Sequence, residues 1–77
     1  DIEIQVVDFI RGLKPTGQAV DSSTDLIGSG LLDSLAIVEL VTFLSSRFSA
    51  AIGAREITPA NLRTPAAVAA LVRRTQG

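Results

Sequence analysis

Hydroxyls and carboxylates are the main reactive groups this sequence offers. Its 77 residues include no Cys and no His. A thiol nucleophile, a disulfide framework and a thiolate metal site are therefore excluded. The usual general base near neutral pH and the commonest zinc ligand are missing too. A stand-alone enzyme is not expected from such a set. Among the serines, Ser34 stands apart, because it follows Asp33 and opens an apolar helical pattern. Either Asp33 or Ser34 can cap that helix, and taken alone Asp33-Ser34-Leu35 is an ordinary helix start. The cap geometry also presents the serine, so the two roles are compatible. Ser22, Ser23 and Ser29 sit in a loop with no following helix face. Ser45 and Ser46 fall inside a helix, where backbone amides are occupied, and Ser49 lies beyond its end. Turn and surface roles are expected for all six.

The elements that position Ser34 follow from periodicity. Over residues 2–13, Ile2, Val6, Phe9, Ile10 and Leu13 recur at helical spacing, with Glu3, Gln5 and Asp8 between them. Gly12, Pro15 and Gly17 end this helix. A second helix over 34–48 carries Leu35, Val38, Val41, Leu44 and Phe48 as its expected inward residues. On it Asp33, Ala36, Ile37, Glu39, Thr42, Ser45 and Ser46 are expected outside, with Leu35 straddling core and rim. Thr58-Pro59 starts a one-turn helix, and Thr64-Pro65 starts a last helix over about 65–74 with Val68, Leu71 and Val72 inward. The predicted fold class is all-α: a small four-helix bundle of three longer helices plus one short helix. One domain is expected over residues 1–77. Between helices 1 and 2, a long loop runs from Lys14 to Leu32, anchored by Leu26, Ile27, Leu31 and Leu32. Long loops pinned to a core are more often functional than idle, and this one leads to Asp33-Ser34.

Composition bounds the partners. Hydrophobic residues make up 47% of the chain and charged residues 19%, and the formal net charge is −1. A mean hydropathy of +0.41 argues for a folded chain. The charge is uneven: residues 1–39 sum to −5 and residues 40–77 to +4. This pattern fits either halves that attract one another weakly or a charged face that a partner reads. Scattered arginines without interleaved aromatics do not suggest nucleic acid. No apolar run is long enough to span a bilayer and no signal-peptide pattern opens the chain, so a cytoplasmic monomer is expected.

Gly30-Leu31-Leu32-Asp33-Ser34-Leu35, followed by Val38-Glu39-Leu40-Val41, resembles the modification site of acyl carrier proteins and related thiolation domains. The resemblance covers nearly the whole chain, including Arg47-Phe48 and the run from Ile57 to Pro65. It implies that Ser34 receives 4′-phosphopantetheine from coenzyme A as a phosphodiester. A helix N-terminus suits that anion. The carrier itself then needs no base and no metal, because a phosphopantetheinyl transferase activates the hydroxyl. The thiol comes with the prosthetic group and holds cargo as a thioester. Further partners implied are an acyl- or aminoacyl-loading ligase or transferase and a downstream synthase or condensation enzyme. Asp33, Leu35, Ala36, Ile37, Glu39 and Thr42 are the expected recognition residues, with Ile37 either docking a partner or covering the bundle edge.

This chain departs from the family pattern in two places. Fatty-acid-synthesis carriers are strongly acidic along the second helix, whereas only Asp33 and Glu39 are acidic here, so long-range steering is weaker. Leu32 stands where peptidyl carriers usually have Gly. The segment is closer to discrete carriers of polyketide, lipopeptide or aminoacyl-loading pathways, with peptidyl and fatty acid carriers as alternatives. Ala50, Ala51, Ala66, Ala67, Ala69 and Ala70 fit either close packing or a compressible core that admits cargo. A different class of function, a helical docking module without a prosthetic group, would explain the charge asymmetry but not the loop ending at Asp-Ser-Leu.

Overall fold

A computed structural model describes residues 1–13 and 19–76. Pro15 and Gly17, expected to help end the first helix, lie outside the described residues, as does the start of the loop at Lys14. In order, the chain forms α1 (Ile2–Leu13), α2 (Ser34–Phe48), a 3₁₀ turn (Ala54–Glu56), α3 (Pro59–Leu62) and α4 (Pro65–Thr75). The architecture is the predicted small all-α bundle with a loop between its first two helices, and α4 runs one residue beyond 74. Ala50 and Gln76 form an isolated antiparallel bridge, and the Ala51 N–H donates to the Thr75 carbonyl at 3.0 Å.

Local chemistry sets the helix ends. The Asp1 carboxylate accepts from the Glu3 N–H at 2.8 Å at the start of α1. Thr58 caps α3 by accepting from the Asn61 N–H at 3.2 Å, and Thr64 caps α4 by accepting from the Ala67 N–H at 3.1 Å. In both, proline occupies the first helical position, where its missing N–H costs nothing. The 3₁₀ turn was not foreseen, but Gly53 and Glu56 carry a local signal for it. The Glu56 carboxylate reaches back three residues to accept from the Gly53 N–H at 3.0 Å.

Val6 and Ile10 of α1, Leu40 and Leu44 of α2, Leu62 of α3 and Val68, Leu71 and Val72 of α4 fill the core. Leu26, Leu31 and Leu32 enter it from the loop, while Ile27 stays on the surface. Helices α1 and α2 run antiparallel at their contact. The Arg47 Nε donates to Gln5 Oε1 at 2.7 Å, and further along Phe9 stacks on Phe43 with ring centroids 4.3 Å apart.

The inward face of α2 differs from expectation. Leu35 is 68% exposed and Val38 62% exposed, and Val41 is only half-buried. The buried line is Ala36, Leu40, Leu44 and Phe48, at four-residue spacing. Apolar residues nearly encircle this helix, so several phases satisfy the same pattern. The Phe9–Phe43 stack and the Ala36–Leu40–Leu44 line select one of them.

Charge joins the two halves of the chain at one point among the described residues. The Arg73 guanidinium of α4 lies 3.9 Å from the Asp1 carboxylate, whereas Asp8 and Arg11 pair within α1 at 3.8 Å. Exposed pairs of this kind contribute at most about 1 kcal/mol. The asymmetry therefore remains mostly a property of the surface.

Candidate functional site

The loop reaches Ser34 through a series of local turns. In the first of these the Asp21 carboxylate accepts from the Ser23 N–H at 2.9 Å, from the Ser23 hydroxyl at 3.1 Å and from the Thr24 hydroxyl at 3.2 Å. The bonds from Ser23, then that from Thr24, hold the Asp21 carboxyl below its ordinary value. What the charged turn contributes is present above the ordinary Asp range and is lost as pH falls through the lowered pKa. Next, Asp25 accepts from the Ile27 N–H at 3.2 Å and the Gly28 N–H at 2.8 Å. A Cβ at Gly28 would collide with that carboxylate. Gly30 then takes the left-handed conformation at φ 79°, which L side chains rarely adopt.

Backbone bonds tie this loop to the α3–α4 junction. The Leu26 N–H donates to the Arg63 carbonyl at 2.7 Å and the Ala66 N–H to the Ser22 carbonyl at 3.1 Å, while within the loop the Leu32 N–H donates to the Leu26 carbonyl at 2.9 Å. With Leu31 and Leu32 buried, the chain emerges at Asp33 in a defined place.

Asp33 is the cap. Its extended backbone (φ −96°, ψ −176°) directs Oδ1 to accept from the Ala36 N–H at 2.8 Å, and its carbonyl accepts from the Ile37 N–H at 2.9 Å. Ser34 is the first helical residue and is exposed. The Ile37 N–H makes the first bond of the helical ladder and the Asp33 side chain takes up the Ala36 N–H, while those of Ser34 and Leu35 lie outside the ladder. The site thus offers a solvent-facing hydroxyl beside free donors at the positive end of a 15-residue helix. An anionic ester on Ser34 Oγ would suit this setting, at the positive end of the α2 dipole.

The remaining residues singled out from sequence divide into two groups. Asp33, Leu35, Glu39 and Thr42 are exposed along α2. Ala36 is 5% exposed and sits in the core, which corrects its expected place on the surface. Ile37 is half-buried and packs against the core, so it covers the bundle edge more than it projects from it. The residue that sequence reasoning missed is Val38, expected inside and found outside. Leu35 and Val38 lie one turn apart and form an exposed apolar pair beside Ser34. The signal for them was the excess of apolar residues on α2, more than one buried face can absorb.

Two known proteins are similar to the chain. Lincomycin biosynthesis protein LmbN of Streptomyces lincolnensis is 42% identical over 72 residues, which is 91% of this chain but 26% of that protein. Probable acyl carrier protein PigG of a Serratia species is 44% identical over 66 residues, 86% of this chain and 72% of PigG. No family model matches the chain. A helical bundle whose long anchored loop ends at a capped, solvent-facing serine accompanies that identity to PigG, and the chain belongs to the acyl carrier protein family.

Proposed function

We propose that the chain carries 4′-phosphopantetheine on Ser34 and shuttles acyl, or aminoacyl, intermediates as thioesters between biosynthetic enzymes of secondary metabolism. The observation that carries this reading is the exposed Ser34 hydroxyl at the first position of α2, after the Asp33 cap. Asp33 orients the helix start, and the Ser34 and Leu35 amides offer donors to a phosphodiester formed on Oγ. When bound, the prosthetic group supplies a thiol on a flexible arm. The chain contributes attachment and presentation. Proton removal from Ser34 falls to the phosphopantetheinyl transferase, and loading and condensation fall to separate enzymes, consistent with a sequence that lacks His and Cys. The pathway class is supported by the name of LmbN, which refers to biosynthesis of lincomycin.

Incubation with coenzyme A and a broad-specificity phosphopantetheinyl transferase, followed by intact-mass measurement, tests the reading. The mass should rise by one phosphopantetheine and stay unchanged in Ser34→Ala. No gain, or a gain that survives Ser34→Ala, overturns it. Partner capture by a protein that resists modification would favour a docking module instead.

A further inference from the structure

The main chain closes on itself just ahead of Ser34. The Leu32 N–H donates to the Leu26 carbonyl at 2.9 Å, and Ser34 follows that bond by two residues. Both feet of the closure are fixed, because Leu26 and Leu32 are buried and the Leu26 N–H donates to the Arg63 carbonyl at 2.7 Å. The tip of the arc between them, residues 27–30, is exposed throughout. One side chain at its foot gathers that tip. Asp25 Oδ1 accepts from the Ile27 N–H at 3.2 Å and from the Gly28 N–H at 2.8 Å, while the Asp25 carbonyl accepts from the Ser29 N–H at 3.3 Å. Gly28 leaves the room that this carboxylate occupies. Gly30, at φ 79°, then turns the chain back toward the buried Leu31 and Leu32.

We propose that Asp25 is a positioning residue for modification of Ser34: by gathering the arc it fixes where the Asp33–Ser34 junction meets the phosphopantetheinyl transferase. The inference rests on the carrier reading of Ser34 and adds to it a side chain that acts only through the main chain. Without the carboxylate, the Ile27 and Gly28 amides turn to water at little cost, because they are already at the surface. Leu26 and Leu32 keep the fold, but the arc samples several shapes, and fewer molecules present the hydroxyl in the arrangement the transferase takes. Apparent affinity then falls by that fraction, while turnover of bound carrier is unchanged.

Steady-state kcat and KM of the transferase are measured with coenzyme A and the unmodified chain, Asp25→Ala, Asp25→Asn and Gly28→Ala. Asp25→Ala should raise KM for the carrier about fivefold at constant kcat, as a competent fraction of about one fifth requires. Asp25→Asn keeps an acceptor oxygen and should stay within about twofold of the parent. Gly28→Ala keeps Asp25 but displaces its carboxylate, and should reproduce the rise; it serves as the second variant if Asp25→Ala loses its fold. In amide spectra without coenzyme A, the Ser34 resonance should move in Asp25→Ala and hold its place in Asp25→Asn. An unchanged KM and Ser34 resonance in folded Asp25→Ala overturns the proposal. So does a loss of kcat alone. An equal rise of KM in Asp25→Ala and Asp25→Asn would assign the effect to charge read by the transferase, and overturns it too. In each of these cases the parent is still modified on Ser34, whereas a parent that takes up no phosphopantetheine overturns the carrier reading and this proposal with it.

Discussion

Val38, four residues after Ser34, holds an apolar side chain in solvent, while its neighbour Ile37 rests against the core. The two can therefore be separated by the same substitution. Val38→Asp is expected to leave the urea midpoint almost unchanged, within about 0.5 kcal/mol, while slowing phosphopantetheinylation or partner turnover. Ile37→Asp is expected to cost about 2 kcal/mol or more, because it forces a carboxylate against buried apolar surface. Denaturation curves beside a time course of mass gain distinguish these outcomes. Modification of Val38→Asp at the unaltered rate would remove Val38 from the recognition face. At this scale Asp33 and Ser34 were legible from sequence because a cap acts within three residues. Val38 was not, since its exposure depends on where distant side chains pack.

The helices differ in how well their faces could be read, and the reason is the number of polar residues that mark the phase. Glu3, Gln5 and Asp8 interrupt α1, so Val6 and Ile10 had one available side, and both are buried. On α2 polar markers are sparse until Thr42, and contact with α1 decides the rotation. The end of α2 carries a local cost: Ser49, its C-cap, adopts φ 54° and ψ 37°. The left-handed region disfavours an L side chain by roughly 1–2 kcal/mol, part of which the greater freedom of glycine in the unfolded chain offsets. Ser49→Gly is expected to raise unfolding free energy by about 0.5–1 kcal/mol in urea titration. A loss of stability would mean that the Ser49 side chain contributes more than its backbone conformation costs.

For the molecule as a whole, the segment from Asp21 to Leu32 is a surface loop anchored in the core by Leu26, Leu31 and Leu32. Leu26 is completely buried, and its amide is bonded to the α3–α4 junction. Leu26→Ala is expected to cost about 2–5 kcal/mol, a large share of the roughly 5–15 kcal/mol of a typical domain. By hydrogen exchange the Leu26, Leu32 and Ala66 amides should open with those of the helices; faster, separate opening would show the loop to be an independent unit. Sequence indicated the apolar anchors but not this join, because every atom in it belongs to the backbone. That gives the join a property of its own, for main-chain hydrogen bonds are indifferent to which side chains flank them. Exchanging the exposed side chains of Ile27 or Arg63, which take no part in these bonds, is expected to leave the Ser34 hydroxyl in place. The outer surface is thus free to drift while the Ser34 hydroxyl keeps its address.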